Sequence, residues 1–182
     1  MKRTLLFVLA LAVIPVGVDA QAEHPTVTAL RRNAEIEKQW NAAWELAMYY
    51  EDGEMGALVG IVEDDVEALR WFKVALELGA RPMTFFGGYY AFGMLRRIQF
   101  QIGNMYVTQG GVPEDLVSAY MWFNLAQAGV WSDGDVALWG GSPSRSKAAI
   151  EGRMTREQIA EAQRLSREWQ EAHPPGERTL RR

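Results

Sequence analysis

The sequence predicts an all-α protein, with antiparallel helix-pair repeats stacked into a short α/α solenoid. Three observations carry that expectation. Residues 60–72 and 111–123 are two versions of one pattern at a constant offset of 51, pairing Gly60 with Gly111, Glu63 with Glu114, Asp64 with Asp115, Ala68 with Ala119 and Trp71-Phe72 with Trp122-Phe123. Self-similarity at a few tens of residues marks stacked supersecondary units, none of which buries its apolar face alone. Apolar residues recur at helical spacing along most of the chain, and no strand alternation competes.

The N-terminus reads as an export signal over residues 1–20. Lys2 and Arg3 precede an apolar run from Leu5 to Val16, and Val18-Asp19-Ala20 offers a small-residue cleavage site, with a second after Ala22. Pro15 and Gly17 break the run short of the roughly 20 residues a spanning helix needs. The expected product is periplasmic or secreted, with no transmembrane helix after cleavage.

Beyond it, one long helix is expected from about Thr28 to Glu51, with Leu30, Ile36, Trp40, Ala43, Trp44, Ala47 and Tyr50 on its apolar face and Gly53 as its stop. A loop follows over Glu54 to Glu63. Asp64 then serves as an N-cap, with Glu67 placed to complete a capping box. The helix behind it turns Ala68, Phe72, Ala75 and Leu76 inward and ends at Gly79. A further helix runs from Met94 to Thr108. Gly103 inside it costs about 1 kcal/mol relative to alanine, which predicts a close helix crossing. Asp115 caps the next helix, which carries Ala119, Trp122, Phe123 and Ala126 and stops at Gly129. Ser142-Pro143 opens a short helix through Ile150. Thr155 with Gln158 forms a capping box, Ile159, Ala162, Leu165 and Trp169 form a buried stripe, and His173-Pro174 ends it. The reading is a helical domain over 21–173, with repeat units at about 40–79 and 94–129, capping helices at about 142–172, and a disordered tail over 174–182.

Composition excludes several function classes. The formal net charge is −4, and no basic stripe exceeds Arg178, Arg181 and Arg182, so nucleic acid is not an expected partner. Cysteine is absent. The only histidines, His24 and His173, lie near the two ends, so no zinc constellation exists and no cofactor is implied.

The motif residues resemble the Sel-one-like repeat, a relative of the tetratricopeptide repeat. The second copy matches that family's pattern through Ile102-Gly103, Tyr106, Gly111-Val112, Asp115, Ala119, Trp122-Phe123, Ala126 and Gly129. The first matches through Leu46-Ala47, Tyr50, Gly53, Gly60-Ile61, Asp64, Ala68, Trp71-Phe72, Ala75 and Gly79. The segment from Met154 to Ile159 looks like the start of the terminal helix of many bacterial exported members. The resemblance implies a non-catalytic scaffold or adaptor, whose partner is a protein or peptide in the cell envelope. A homo-oligomer is the alternative assembly. Three departures stand out. Gln109 replaces a glycine, with Gly110 available for the turn. The first copy carries five extra residues between Gly53 and Gly60, where the offset falls from 56 to 51. Between Gly79 and Ile102 about 15 residues are inserted, the kind of insertion that falls on one face of an array.

That insertion holds Phe85, Phe86, Tyr89, Tyr90 and Phe92, the candidate partner-binding residues: large rigid aromatics, with glycines allowing adjustment. Filling an irregular space between repeats is the competing reading. An exported enzyme acting on cell-wall or penicillin-like substrates is the rival class. It rests on Ser144 and Lys147 in a Ser-x-x-Lys arrangement, but the Ser-x-Asn and Lys-Thr-Gly partners that chemistry needs are missing. Glu51, Asp52, Glu54, Glu63, Asp64, Asp65 and Glu67 form an acidic rim without the spacing of a calcium loop, and solvation and capping account for it.

Overall fold

Both repeats close with the same hydrogen bond. The Asp64 amide donates to the Tyr50 carbonyl at 2.9 Å, and the Asp115 amide donates to the Tyr106 carbonyl at 3.0 Å. The motif tyrosine ends one helix and the motif aspartate starts its partner, so the bond folds the second helix back along the first. The computed structural model describes residues 23–79, 88–108, 110–128, 132–138 and 140–174. The expected export signal, Phe85, Phe86, Gln109, Gly129 and the tail from Pro175 lie outside them.

The described residues form α1 (Pro25–Glu35), α2 (Trp40–Glu51), α3 (Gly53–Ala57), α4 (Asp65–Gly79), α5 (Gly88–Thr108), α6 (Leu116–Gln127), α7 (Asp133–Leu138), α8 (Pro143–Glu151) and α9 (Arg156–Ala172). No strand occurs among them. Helices α2 and α4 form the first repeat. Their far ends also meet, since a Cβ on Gly79 would sit 3.5 Å from Cγ of Trp40. Helices α5 and α6 form the second, where the Arg96 guanidinium near the start of α5 reaches the Leu125 carbonyl near the end of α6. Elements pack in chain order: α1 on α2, α4 on α5, and α8 and α9 on α6. That is the helix-pair stack the repeats predict.

Several details differ from expectation. The long helix over 28–51 is two helices. Lys38 adopts a left-handed φ of 54°, and the amides of Ile36, Glu37 and Gln39 return to the carbonyls of Arg32 and Asn33. The turn lets α1 double back and bury Val27, Leu30 and Ala34, while Ile36 stands 69% exposed. Gly53 does not stop α2 but begins α3, whose N-cap Asp52 accepts from the amides of Glu54 and Met55. This short helix accommodates the extra residues of the first copy. Gly56 within it has no room for a side chain, because a Cβ would lie 2.4 Å from the Tyr49 carbonyl.

Asp64 caps α4 through the amides of Val66 and Glu67. Glu67 does not return the bond and instead grips Arg70. Helix α5 starts at Gly88 instead of Met94, so part of the insertion extends the helix. Gly60 and Gly111, matched across the repeats, hold φ of 71° and 84°; only glycine takes that turn without strain. Whether Gly110 replaces a glycine at 109 turns on Gln109, which lies outside the described residues. Helix α7 is an addition to the expected elements, too short to carry an apolar periodicity. On α9, Ala162 and Ser166 are buried, whereas Ile159, Leu165 and Trp169 are half-buried. Ser166 Oγ lies 2.8 Å from the Ala162 carbonyl and 3.3 Å from that of Met121, tying α9 to α6.

The core has two parts. One gathers Leu46, Ala47, Trp71, Phe72, Ile98 and Ile102 with α1, and the other gathers Phe100, Ala119, Phe123, Ile150 and Ala162. Ala68 and Ala119 are completely buried, the small residues that let helices approach closely.

Candidate functional site

The motif side chains serve the fold. Trp71, Phe72 and Phe123 are essentially inaccessible and Trp122 is 8% exposed. The Tyr50 hydroxyl accepts from Arg31 at 2.6 Å and that of Tyr106 from Lys73 at 2.7 Å, so each motif tyrosine anchors a cation from a neighbouring helix. Arg70 lies 4.3 Å over the Trp71 ring. Asp115 accepts from the Ser118 amide and hydroxyl.

The candidate serine chemistry is not assembled. Lys147 Nζ donates to Asn124 Oδ1 at 3.0 Å and to Gln127 Oε1 at 2.6 Å, and lies 5.4 Å from the Tyr120 ring. Ser144 is exposed on the first turn of α8, and no hydrogen bond joins it to Lys147 among the described residues. The ammonium is a tie between α8 and α6. Of the aromatic candidates, Tyr89, Tyr90 and Phe92 belong by their backbone to the first turns of α5, and their side chains lie outside the described residues with Phe85 and Phe86.

Part of the acidic rim lines open clefts. Glu63, Asp64, Asp65 and Val66 face Gly110 and Gly111 across an open cleft of about 520 Å³. A second cleft of about 700 Å³ shares Glu63 and Asp64 and runs past Val62, Ile61 and Tyr50 to Glu23 and His24. Burial, then the nearby charges of Glu63 and Asp64, push the Asp65 carboxyl above its usual range. Burial also raises Glu51, against a hydrogen bond from Gln101, with Asp65 and Asp52 adding to the rise. Among the described residues no group of His, Asp and Glu could hold a metal ion, and no helix is long and apolar enough to cross a membrane.

Exposed apolar side chains stand among these acidic residues: Val66 at 53% in the first cleft, Val62 at 83% in the second, and Leu58 at 80% outside both. A signal was present in the sequence. These three interrupt a run, residues 51–69, with seven acidic residues and no basic one.

The Sel1 repeat model matches residues 40–79 and 99–126, so these two segments are Sel1 repeats. A solved structure similar in fold is a protective antigen present in uropathogenic Escherichia coli strains displaying an SLR fold, at a TM-score of 0.55 and 23% identity over 85% of this chain. The chain spans 27% of that protein's length. No curated protein matches the chain. Sel1 repeats generally build protein-interaction scaffolds.

Proposed function

We propose that the chain is an exported, non-catalytic scaffold or adaptor that holds a protein or peptide in the bacterial cell envelope. The observation that carries this reading is the use of the motif residues: tyrosines, aspartates and aromatic pairs close helix ends and fill seams, and the loop edge and outer helix faces are what the stack presents. The basic-apolar-small order of residues 1–20 supports export. Phe85, Phe86, Tyr89, Tyr90 and Phe92 remain the proposed aromatic anchors. The test is affinity capture from envelope extract, comparing wild type with an alanine quartet at Phe85, Phe86, Tyr89 and Tyr90. Loss of one heterologous protein from a folded quartet variant supports the adaptor, and a change in self-association alone points to a homo-oligomer. A fluorescent penicillin should leave the protein unlabelled. Covalent labelling lost in Ser144→Ala would establish the enzyme reading in its place.

A further inference from the structure

The two repeats differ in what meets the start of their second helices. In the second repeat Glu114 is ion-paired with Arg153, and Leu116 and Val117 share an apolar cluster with Met154 and Ile159. Arg153 and Met154 lie in the turn between α8 and α9. The next helix pair thus sets a basic side chain on Glu114 and, beside it in sequence, an apolar one packed on the same buried cluster as Leu116 and Val117.

At the matched edge of the first repeat, the described residues that face it are Gly110 and Gly111, and neither supplies a side chain. A Cβ at Gly110 would lie 3.6 Å from Oδ2 of Asp65, and one at Gly111 would lie 3.8 Å from Cγ2 of Val66. The open cleft of about 520 Å³ occupies the place of the missing groups. Glu63 and Asp65 have no cationic partner among the described residues, and Val66 is exposed where Val117 is half-buried.

We infer that this cleft docks a segment of another protein carrying an arginine or lysine beside an aliphatic or methionine residue, the cation meeting Glu63 and Asp65 and the apolar residue covering Val66. The inference rests on the scaffold reading above and gives its site and partner chemistry. The ion pair repeats the one Arg153 makes with Glu114 one unit later, with Met154 next to it in the sequence. Arginine suits it better than lysine, because the planar guanidinium engages carboxylates through two bonds and is less strongly hydrated. Exposed ion pairs are individually weak, so the apolar contact sets much of the affinity and the charges set the choice of partner.

The probe is a synthetic peptide copying residues 150–159, with a control in which both arginines become glutamate. Titrated into the full chain, the peptide should shift the amide resonances of Glu63, Val66, Gly110 and Gly111, and the control should not. Raising salt from about 50 to about 500 mM should weaken binding at least about tenfold. Gly110→Arg supplies the cation from the chain itself, at a position where a Cβ meets only ordinary contacts. It should abolish the shifts and leave the helical circular dichroism intact. The pair Glu63→Gln and Asp65→Asn should do the same without adding bulk. The inference is overturned if the four amides stay unmoved, if the control binds equally, or if both variants bind as wild type. Deleting residues 175–182 tests the chain's own basic tail as occupant. Movement of the same amides on deletion, without peptide, would overturn the assignment to another protein. Failure at this cleft is distinct from failure of the scaffold reading, because the aromatic quartet and its capture experiment involve none of these residues.

Discussion

The ring of Phe123 occupies the space that a Cβ at position 103 would need: that atom would fall 2.5 Å from Cε1 and 2.6 Å from Cδ1. Phe123 has little freedom to yield, since it is 1% exposed and packs against Phe100 with ring centroids 5.7 Å apart. Gly103→Ala gains about 1 kcal/mol of helix propensity. Overpacking a rigid core typically costs about 1–3 kcal/mol, and the depth of this overlap places it high in that range. Urea denaturation should therefore show net destabilisation. Gly93 is the control on the same helix. Among the described residues a Cβ there meets nothing nearer than an Arg97 side-chain nitrogen at 4.0 Å, so Gly93→Ala should stabilise. If both variants gain stability, the close crossing of α5 and α6 is wrong.

The two motif aspartates make an internal comparison. Removing an N-cap side chain costs about 1 kcal/mol, within a range of roughly 0.5–2. Asp115 bonds both the amide and the hydroxyl of Ser118 and has no acidic neighbour on its C-terminal side. Asp64 also accepts two amide bonds, but it stands between Glu63 and Asp65, and its removal relieves repulsion. Asp115→Ala should therefore lower the unfolding midpoint more than Asp64→Ala. The reverse order would show that charge on this rim contributes little.

The repeat signal made the fold legible because each motif residue has one local role. Gly60 and Gly111 match across the repeats in sequence, and both hold left-handed φ. Thr155 and Gln158 read as a capping box and form both of its bonds. Apolar periodicity failed where a turn keeps the helical phase. Residues 28–51 look continuous because Ile36 and Trp40 are spaced as on one face, yet the break falls between them at Lys38, a residue with no turn signature. The cleft was half legible. Its acidic residues are plain in sequence, but their openness depends on Gly110-Gly111 facing them from the next repeat, and that juxtaposition is tertiary.

Glu51 carries a carboxyl raised mainly by burial, while Gln101 Nε2 donates to it. A raised carboxyl in the folded state means the ionised form is disfavoured by folding. Its cost is present in full above the folded-state pKa, declines as pH falls through that value, and is gone below the unfolded value of about 4.3. Glutamine keeps an oxygen that accepts from Gln101 without the charge. Glu51→Gln should thus raise the thermal midpoint at pH 7, with the gain shrinking toward about pH 4. A gain independent of pH would point to packing instead.

His173 closes the last helix onto the first repeat. Its Nδ1 lies 2.8 Å from the Trp169 carbonyl and its Nε2 lies 3.1 Å from Glu77 Oε2 on α4. The ring stacks on Trp169 at 4.3 Å, and Trp169 meets Trp122 edge-on at 5.8 Å. Both ring nitrogens face acceptors, an arrangement only the imidazolium satisfies fully. Burial alone would lower its pKa, but the bonds to Glu77 and to the Trp169 carbonyl outweigh it and raise the value. The sign follows from linkage: the contribution is complete below the unfolded value of about 6.5 and is lost as pH rises through the higher folded-state value. Amide exchange in the last turn of α9, corrected for intrinsic base catalysis, should accelerate across that window in wild type. Glu77→Gln removes the charge partner and should flatten the profile, and His173→Gln should abolish it. Identical profiles for wild type and Glu77→Gln would show that stacking on Trp169, not the ion pair, holds the end of α9.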